Sequence, residues 1–152
     1  MQNMNQDSEL YLLVDGGKTK TEAVIVDSNG SEIAKSRGPG LEIIGSVNGY
    51  ERVVDSLRTT FDQLPQTARF AGVAFGLNGA QAPSASADLA AKAISSLVKA
   101  DRFTIASDVV MNYLGALGNQ PGVVVAAGTG AVVMAISRQG VPYRIDGDGP
   151  LL

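Results

Sequence analysis

The spacing of apolar residues divides the chain into strands and helices in a definite order. Short apolar runs rich in β-branched residues predict strands at residues 12–15, 22–27, 32–36, 70–75, 102–106, 123–126 and 131–136. Apolar residues at helical spacing predict helices at residues 50–64, 84–99 and 108–117. Asn48 and Glu51 are placed as a capping pair at the start of the first helix, which Pro65 ends.

This order of elements predicts the fold. Three consecutive strands joined by short turns favour antiparallel pairing, and right-handed strand–helix crossovers then add further strands to the same sheet. We therefore predict an α/β protein with a ribonuclease H-like mixed sheet, helices on both faces and a C-terminal hairpin. Residues 1–9 are expected to be a disordered or tag-like N-terminus, with residues 10–152 forming the folded unit.

Residues 12–27, LLVDGGKTKTEAVIVD, contain a Gly-Lys-Thr triplet that is typical of a P-loop. A P-loop also needs a glycine five residues before Gly17, where this chain has Leu12, and it must continue into a helix. Here a β-branched run follows the triplet. The segment is therefore predicted to be a strand, a glycine-rich turn and a second strand, and not a P-loop.

Composition excludes several classes of function. With 45% hydrophobic and 18% charged residues the chain is typical of a globular protein, and its net charge of −3 offers no broad attraction for nucleic acid or anionic membrane. No apolar run approaches the roughly eighteen residues of a transmembrane helix. The polar N-terminus does not resemble a signal peptide, so a cytoplasmic location is expected.

The sequence contains neither cysteine nor histidine. Disulfides, thiolate nucleophiles, imidazole bases and most zinc sites are thereby excluded. Acid–base chemistry must come from carboxylates, with lysine and tyrosine as less favoured candidates. Any metal is expected to be a hard cation bound through oxygen, and magnesium fits that description best.

Two glycine-rich turns and one aspartate are candidates for chemistry. Asp15 closes a strand before two glycines that allow backbone N–H groups to approach an anion, and Thr19 and Lys20 add a hydroxyl and a cation. Residues 128–130, Gly-Thr-Gly, repeat this arrangement after a second strand. A tight hairpin without any ligand would explain either glycine-rich turn equally well. Asp108 follows an apolar strand and opens a helix, so it is either a helix N-cap or a base at the ligand-binding edge of the sheet.

In this order and spacing, the 15–21 turn, Asp108 and Ala-Gly-Thr-Gly at 127–130 resemble the N-terminal lobe of the actin-like ATPase superfold. Within it they look most like the N-acetylglucosamine kinase branch, also called the BadF/BadG/BcrA/BcrD ATPase family. The resemblance runs from about residue 10 to the last residue. It implies an ATP-dependent kinase for N-acetylglucosamine or glucosamine, of which residues 10–152 are the N-terminal lobe. The second lobe, with the adenosine pocket, is absent from this chain, so the chain alone is expected to be inactive.

The resemblance also implies roles for individual residues. Asp15 would hold Mg²⁺ through water, and Asp108 would take the proton from a sugar hydroxyl. The residues implied to bind ATP phosphates are Gly16, Gly17, Lys18, Thr19, Lys20, Gly128, Thr129 and Gly130. Those implied to contact the sugar are Asn78, Gly79, Asp108, Thr129 and, as a candidate, Glu42. Lys18 replaces a more usual glycine, and residues 38–45 lack the asparagine that relatives use on the sugar, which leaves the hexosamine open.

Two other functions stay open at this point. An ATPase activator of a dehydratase shares the fold but uses cysteines for an iron–sulfur cluster, and the absence of cysteine argues against it. A non-catalytic sugar sensor would keep the sugar site without turnover. A homodimer also stays open as an expectation, because the surface that should meet the second lobe would be exposed in this chain.

Overall fold

The computed structural model describes residues 9–41, 48–77, 85–127 and 131–145. Within these ranges it contains eight strands and three helices. They are β1 (Leu10–Gly16), β2 (Lys20–Asp27), β3 (Glu32–Pro39), α1 (Gly49–Phe61), β4 (Gly72–Leu77), α2 (Ala85–Leu97), β5 (Phe103–Ser107), α3 (Asp108–Leu117), β6 (Gly122–Ala127), β7 (Ala131–Ile136) and β8 (Pro142–Ile145). The prediction for the N-terminal residues falls outside the described ranges, apart from Glu9.

The larger sheet has the strand order β3-β2-β1-β4-β5. β1, β2 and β3 pair antiparallel, whereas β4 pairs parallel to β1 and β5 parallel to β4. This mixed sheet confirms the predicted ribonuclease H-like arrangement. The crossover helices α1 and α2 allow β4 and β5 to return in the direction of β1.

The core lies between this sheet and the helices α1 and α2. Burial alternates along β1 and β2, as expected for strands with one face packed and the other open. The fully buried side chains of this layer include Leu12, Ala23, Ile25, Val53, Leu57, Phe75, Ala90 and Ile94. α3 packs on the opposite face, where Met111 fills the space above Gly76. Helices therefore cover both faces of the sheet, as predicted.

A second, smaller sheet contains β6, β7 and β8 as an antiparallel meander. The predicted C-terminal hairpin corresponds to β6 and β7. β8 was not predicted, because it is a strand of four residues that begins with Pro142. The turn before it is organised by Ser137, whose hydroxyl oxygen accepts hydrogen bonds from the N–H groups of Gln139 and Val141.

The predicted capping pair of α1 is wrong. Asn48 occupies the N-cap position but has left-handed backbone angles, φ 58° and ψ 26°, and its side chain makes no capping hydrogen bond. A capping side chain normally requires an extended backbone at this position, so Asn48 cannot direct its oxygen at the first helical N–H groups. Glu51 remains in the first turn, where a negative charge is favourable to the helix dipole. Within the described ranges, no helix has the length and apolar character needed to cross a membrane.

Candidate active site

The carboxyl ends of β1, β4 and β5 meet at one edge of the larger sheet. Asp15 is in register with Gly76 on β4, and Gly76 is in register with Ala106 on β5. Residues in register on neighbouring strands project from the same face of a sheet. Asp108, two residues beyond Ala106, is the first residue of α3, which packs on that same face. The fold therefore brings Asp15 and Asp108 to the same place.

Gly76 allows the start of α3, with Asp108, to pack close to the strand beside Asp15. A Cβ atom at Gly76 would lie 3.1 Å from Cγ of Met111 and 3.7 Å from Cα of Asp108. A larger residue would therefore crowd Met111 and disturb the packing of α3 on the sheet. Sequence reasoning did not select Gly76 as a site residue, and the signal was its position at the carboxyl end of a buried strand.

The two carboxylates are close enough to interact. Partial burial raises the pKa of Asp15, the negative charges of Asp108 and Glu22 raise it further, and the positive charge of Lys20 opposes them. A cation bound at this edge would relieve that repulsion. The described residues contain no group of three or more acidic side chains arranged to hold a metal ion. A metal here would therefore depend on one or two carboxylates together with other oxygen ligands.

The start of α3 tests the N-cap interpretation of Asp108. Ser107 is the N-cap: its backbone is extended, and its hydroxyl oxygen accepts a hydrogen bond of 3.5 Å from the N–H of Val110. Asp108 follows as the first helical residue, and its Oδ1 accepts a hydrogen bond of 2.8 Å from the N–H of Val109. Among the described residues, no donor reaches Oδ2. The N-cap interpretation of Asp108 is therefore wrong, one oxygen of its carboxylate is anchored, and its role as a base stays a prediction.

The turn between β1 and β2 is closed by its own backbone. The N–H of Gly17 donates a hydrogen bond of 3.0 Å to the carbonyl oxygen of Lys20. In the described part of the chain, the N–H groups of Lys18 and Thr19 have no such partner. The backbone donors that this turn offers to an anion therefore come from Lys18 and Thr19, whereas the glycines shape the turn.

Lys20 lies beside Asp15 and is held by a residue that sequence reasoning missed. The Nζ atom of Lys20 is 3.0 Å from Oε1 of Glu22, and that of Lys35 is 3.9 Å from Oε2. The hydrogen bond from Lys20 is the main cause of a lowered pKa of Glu22, with the nearby positive charges adding to it. Glu22 is in register with Asp15 across the hairpin, so strand alternation would have placed it on the same face.

Comparison with known sequences identifies the family. The profile of the BadF/BadG/BcrA/BcrD ATPase family matches residues 13–152. The chain belongs to this family. This confirms the resemblance that the two glycine-rich turns and Asp108 carried in the sequence.

Individual relatives agree with that assignment. N-acetyl-D-glucosamine kinase of Dictyostelium discoideum is 28% identical over 155 residues, which cover 95% of this chain and 49% of that protein. The crystal structure of a candidate N-acetylglucosamine kinase from Chromobacterium violaceum is 29% identical, with a TM-score of 0.67 over 93% of this chain and 50% of that one. A similar protein from Porphyromonas gingivalis shares the fold, with a TM-score of 0.68 at 18% identity over 91% of this chain and 48% of its own. The chain spans about half the length of these relatives.

Some predicted site residues of this family member cannot be placed. The predicted site residues outside the described part of the chain are Glu42, Asn78, Gly79, Gly128, Thr129 and Gly130. Their implied roles at the sugar and at the second phosphate turn stay predictions. The structure brings together Asp15, the 16–20 turn and Asp108, and it adds Gly76 and Glu22 to them.

Proposed function

We propose that the protein containing this chain is an ATP-dependent amino-sugar kinase, with N-acetylglucosamine as the first substrate to test. One observation carries the proposal: Asp15, beside the glycine-rich turn, lies close to Asp108, because Gly76 lets α3 pack closely on the sheet. Membership of an ATPase family supports ATP as the phosphoryl donor. The relatives named as N-acetylglucosamine kinases support an amino sugar as the acceptor.

On the donor side, the residues of the first turn fit a nucleotide phosphate. The N–H groups of Lys18 and Thr19 are available, and the Lys20 ammonium is nearby on the same face as Asp15. Mg²⁺ is usually bound through one or two carboxylates together with phosphate oxygens and water, so the carboxylate of Asp15 fits such a site. When bound, Mg²⁺ would neutralise negative charge on the phosphates during transfer.

On the acceptor side, Asp108 has the geometry of a general base. The hydrogen bond from the N–H of Val109 fixes Oδ1, and no described residue donates a hydrogen bond to Oδ2. As the sugar hydroxyl oxygen forms a bond to the γ-phosphorus, the bond from that phosphorus to the bridging oxygen breaks and ADP leaves. The hydroxyl proton moves to Asp108.

The proposal also includes a second lobe. Since the chain spans about half the length of the relatives it matches, the residues for adenosine are expected in a part of the protein outside this chain. Closure of two lobes would exclude water from the transferred phosphate. We therefore expect the 152-residue chain to bind MgATP weakly, in the millimolar range that corresponds to about −4 kcal/mol, and to lack kinase activity.

A coupled ADP-release assay on the full-length gene product tests the function. With MgATP, N-acetylglucosamine or glucosamine should stimulate ADP release, and glucose serves as the comparison acceptor. Sugar binding by calorimetry without sugar-stimulated ADP release would favour the sensor and contradict the kinase. ADP release without any dependence on sugar would favour an ATPase of another kind.

A further inference from the structure

A short segment packs against the turn that we assign to phosphate binding. We call residues 38–41, Gly-Pro-Gly-Leu, the strap. The N–H of Leu41 donates a hydrogen bond of 2.9 Å to the carbonyl oxygen of Gly17. On the other side, the hydroxyl of Ser56 in α1 lies 3.4 Å from the carbonyl oxygen of Gly40. The strap therefore joins the turn to the first helix.

The strap contacts the turn at backbone distance. A Cβ atom at Gly40 would overlap the carbonyl oxygen of Lys18, and it would lie 2.5 Å from the carbonyl carbon of Lys18 and 2.7 Å from that of Thr19. Among the described glycines, positive φ angles occur at Gly30, Gly118 and Gly140. Gly40 is therefore required here by the close approach of two backbones and not by its own backbone angle.

The other side of the strap cannot move away to relieve such an overlap. A Cβ atom at Gly38 would overlap the hydroxyl of Thr60, which is fully buried in α1 and donates a hydrogen bond of 2.8 Å to the carbonyl oxygen of Ser56. Leu41 is 4% exposed, and a Cβ atom at Gly16 would lie 2.5 Å from its Cδ1. A change in the strap must therefore displace the turn, because α1 and the core hold the strap in place.

We propose that Gly40 and Leu41 are positioning residues that fix the Lys18–Thr19 backbone relative to Asp15. For nucleotide binding, the inference rests on the function proposed above. The overlap at Gly40 is with backbone atoms, which cannot rotate away as a side chain can. A displacement of about 1 Å in a site of this kind can cost about 100-fold in catalysis.

Gly40→Ala tests the inference, with Gly115→Ala as the matched control. Gly115 lies in α3, and a Cβ atom there would meet nothing within 4 Å. Amide chemical shifts of residues 16–20 should change in full-length Gly40→Ala without any ligand, and they should stay unchanged in Gly115→Ala. The KM for MgATP should rise by about 10- to 100-fold in Gly40→Ala, whereas the KM for the amino sugar should stay within about threefold.

The two readouts separate this inference from the proposed function. If the wild-type protein shows no kinase activity but Gly40→Ala shifts the turn amides, the inference stands and the proposed function fails. Unchanged amide shifts with an unchanged KM for MgATP would overturn the inference. An equal rise in both KM values would also overturn it, because it would indicate general damage to the fold.

Leu41→Val provides the test if Gly40→Ala does not fold. It keeps the backbone hydrogen bond to Gly17 and shortens the side chain that contacts Gly16. Amide shifts at residues 16 and 17 should change, and the KM for MgATP should rise by about threefold. A folded Leu41→Val protein with unaltered turn amides and an unaltered KM for MgATP would show that the strap does not position the turn.

Discussion

The turn after β1 and the junction between β5 and α3 lie at the same edge of the sheet, but their backbone amides differ in availability. In the turn, the N–H of Gly17 closes the loop, and those of Lys18 and Thr19 remain available in the described structure. At the junction, two of the first N–H groups of the helix are occupied, since Asp108 and Ser107 accept hydrogen bonds from Val109 and Val110.

This difference separates two kinds of chemistry. Open N–H groups and a nearby lysine suit a phosphate, which is why the proposed function assigns the nucleotide to the turn. A helix start with two of its first N–H groups occupied offers fewer donors to an anion, but it holds a carboxylate in a fixed orientation. The two aspartates follow this division, because Asp15 receives no hydrogen bond from the described residues, whereas Asp108 is anchored at one oxygen.

The largest expected effect comes from Asp108→Asn. If Asp108 is the base, turnover in the full-length protein should fall by about two to four orders of magnitude. The fold and sugar binding should be kept, since Ser107 still caps α3 and the amide oxygen of asparagine can accept from Val109. Steady-state kinetics and sugar calorimetry measure both, with Asp88→Asn in α2 as the control. Near-normal turnover would remove Asp108 from the proposed mechanism.

Asp15→Ala should act mainly on the dependence on magnesium. A carboxylate that holds the metal on the nucleotide side should, when removed, raise the Mg²⁺ concentration needed for half-maximal activity by about tenfold or more. Sugar affinity should change much less. Activity titrated with MgCl₂ at fixed ATP provides the measurement, and superimposable curves for the two proteins would contradict a metal role.

Gly76→Ala tests whether Asp108 on α3 must lie close to Asp15 and its turn. Its Cβ atom would lie 3.3 Å from Cβ of Met111, so α3 and Asp108 must shift by a few tenths of an ångström, and kcat should fall by about tenfold. Gly72→Ala is the matched control, because Gly72 lies on the same strand and face and its Cβ atom would crowd the ring of Tyr11 instead of α3. Equal losses of kcat in both variants would show that general crowding, and not the position of Asp108, is responsible.

The sequence predicted more of the fold than of the site. Strands and helices that bury one face carry apolar residues at a regular spacing, and this spacing can be recognised in the sequence. Because burial alternates along β1 and β2, these strands were predictable. The short edge strand β8 and the left-handed Asn48 depend on local geometry that carries little periodic signal. The roles of Gly76 and Glu22 depend on which strands lie side by side. Register is a property of the assembled sheet, and residue types alone do not reveal it.

The smallest predicted effect concerns pH and distinguishes the neighbours of Asp15. Partial burial is the main cause of its raised pKa, and the charges of Asp108 and Glu22 add to it, while Lys20 opposes them. Glu22→Gln removes one of the two negative charges, which lowers the pKa of Asp15, while the amide oxygen of glutamine can still accept a hydrogen bond from Lys20. Because Mg²⁺ and protons compete for the carboxylate, the acid limb of the pH profile at limiting Mg²⁺ should move to lower pH.

The matched control for that pH measurement is Glu32→Gln, which changes an exposed acid at the far end of β3. The acid limb of Glu32→Gln should coincide with that of the wild type, whereas the acid limb of Glu22→Gln should lie at lower pH. A direct check is the ¹³C chemical shift of the Asp15 carboxyl carbon, followed by NMR as the pH is raised in the protein without metal or nucleotide. An acid limb that moves to higher pH in Glu22→Gln would mean that Lys20 depends on Glu22 to stay near Asp15. In that case the loss of the cation would outweigh the loss of the negative charge.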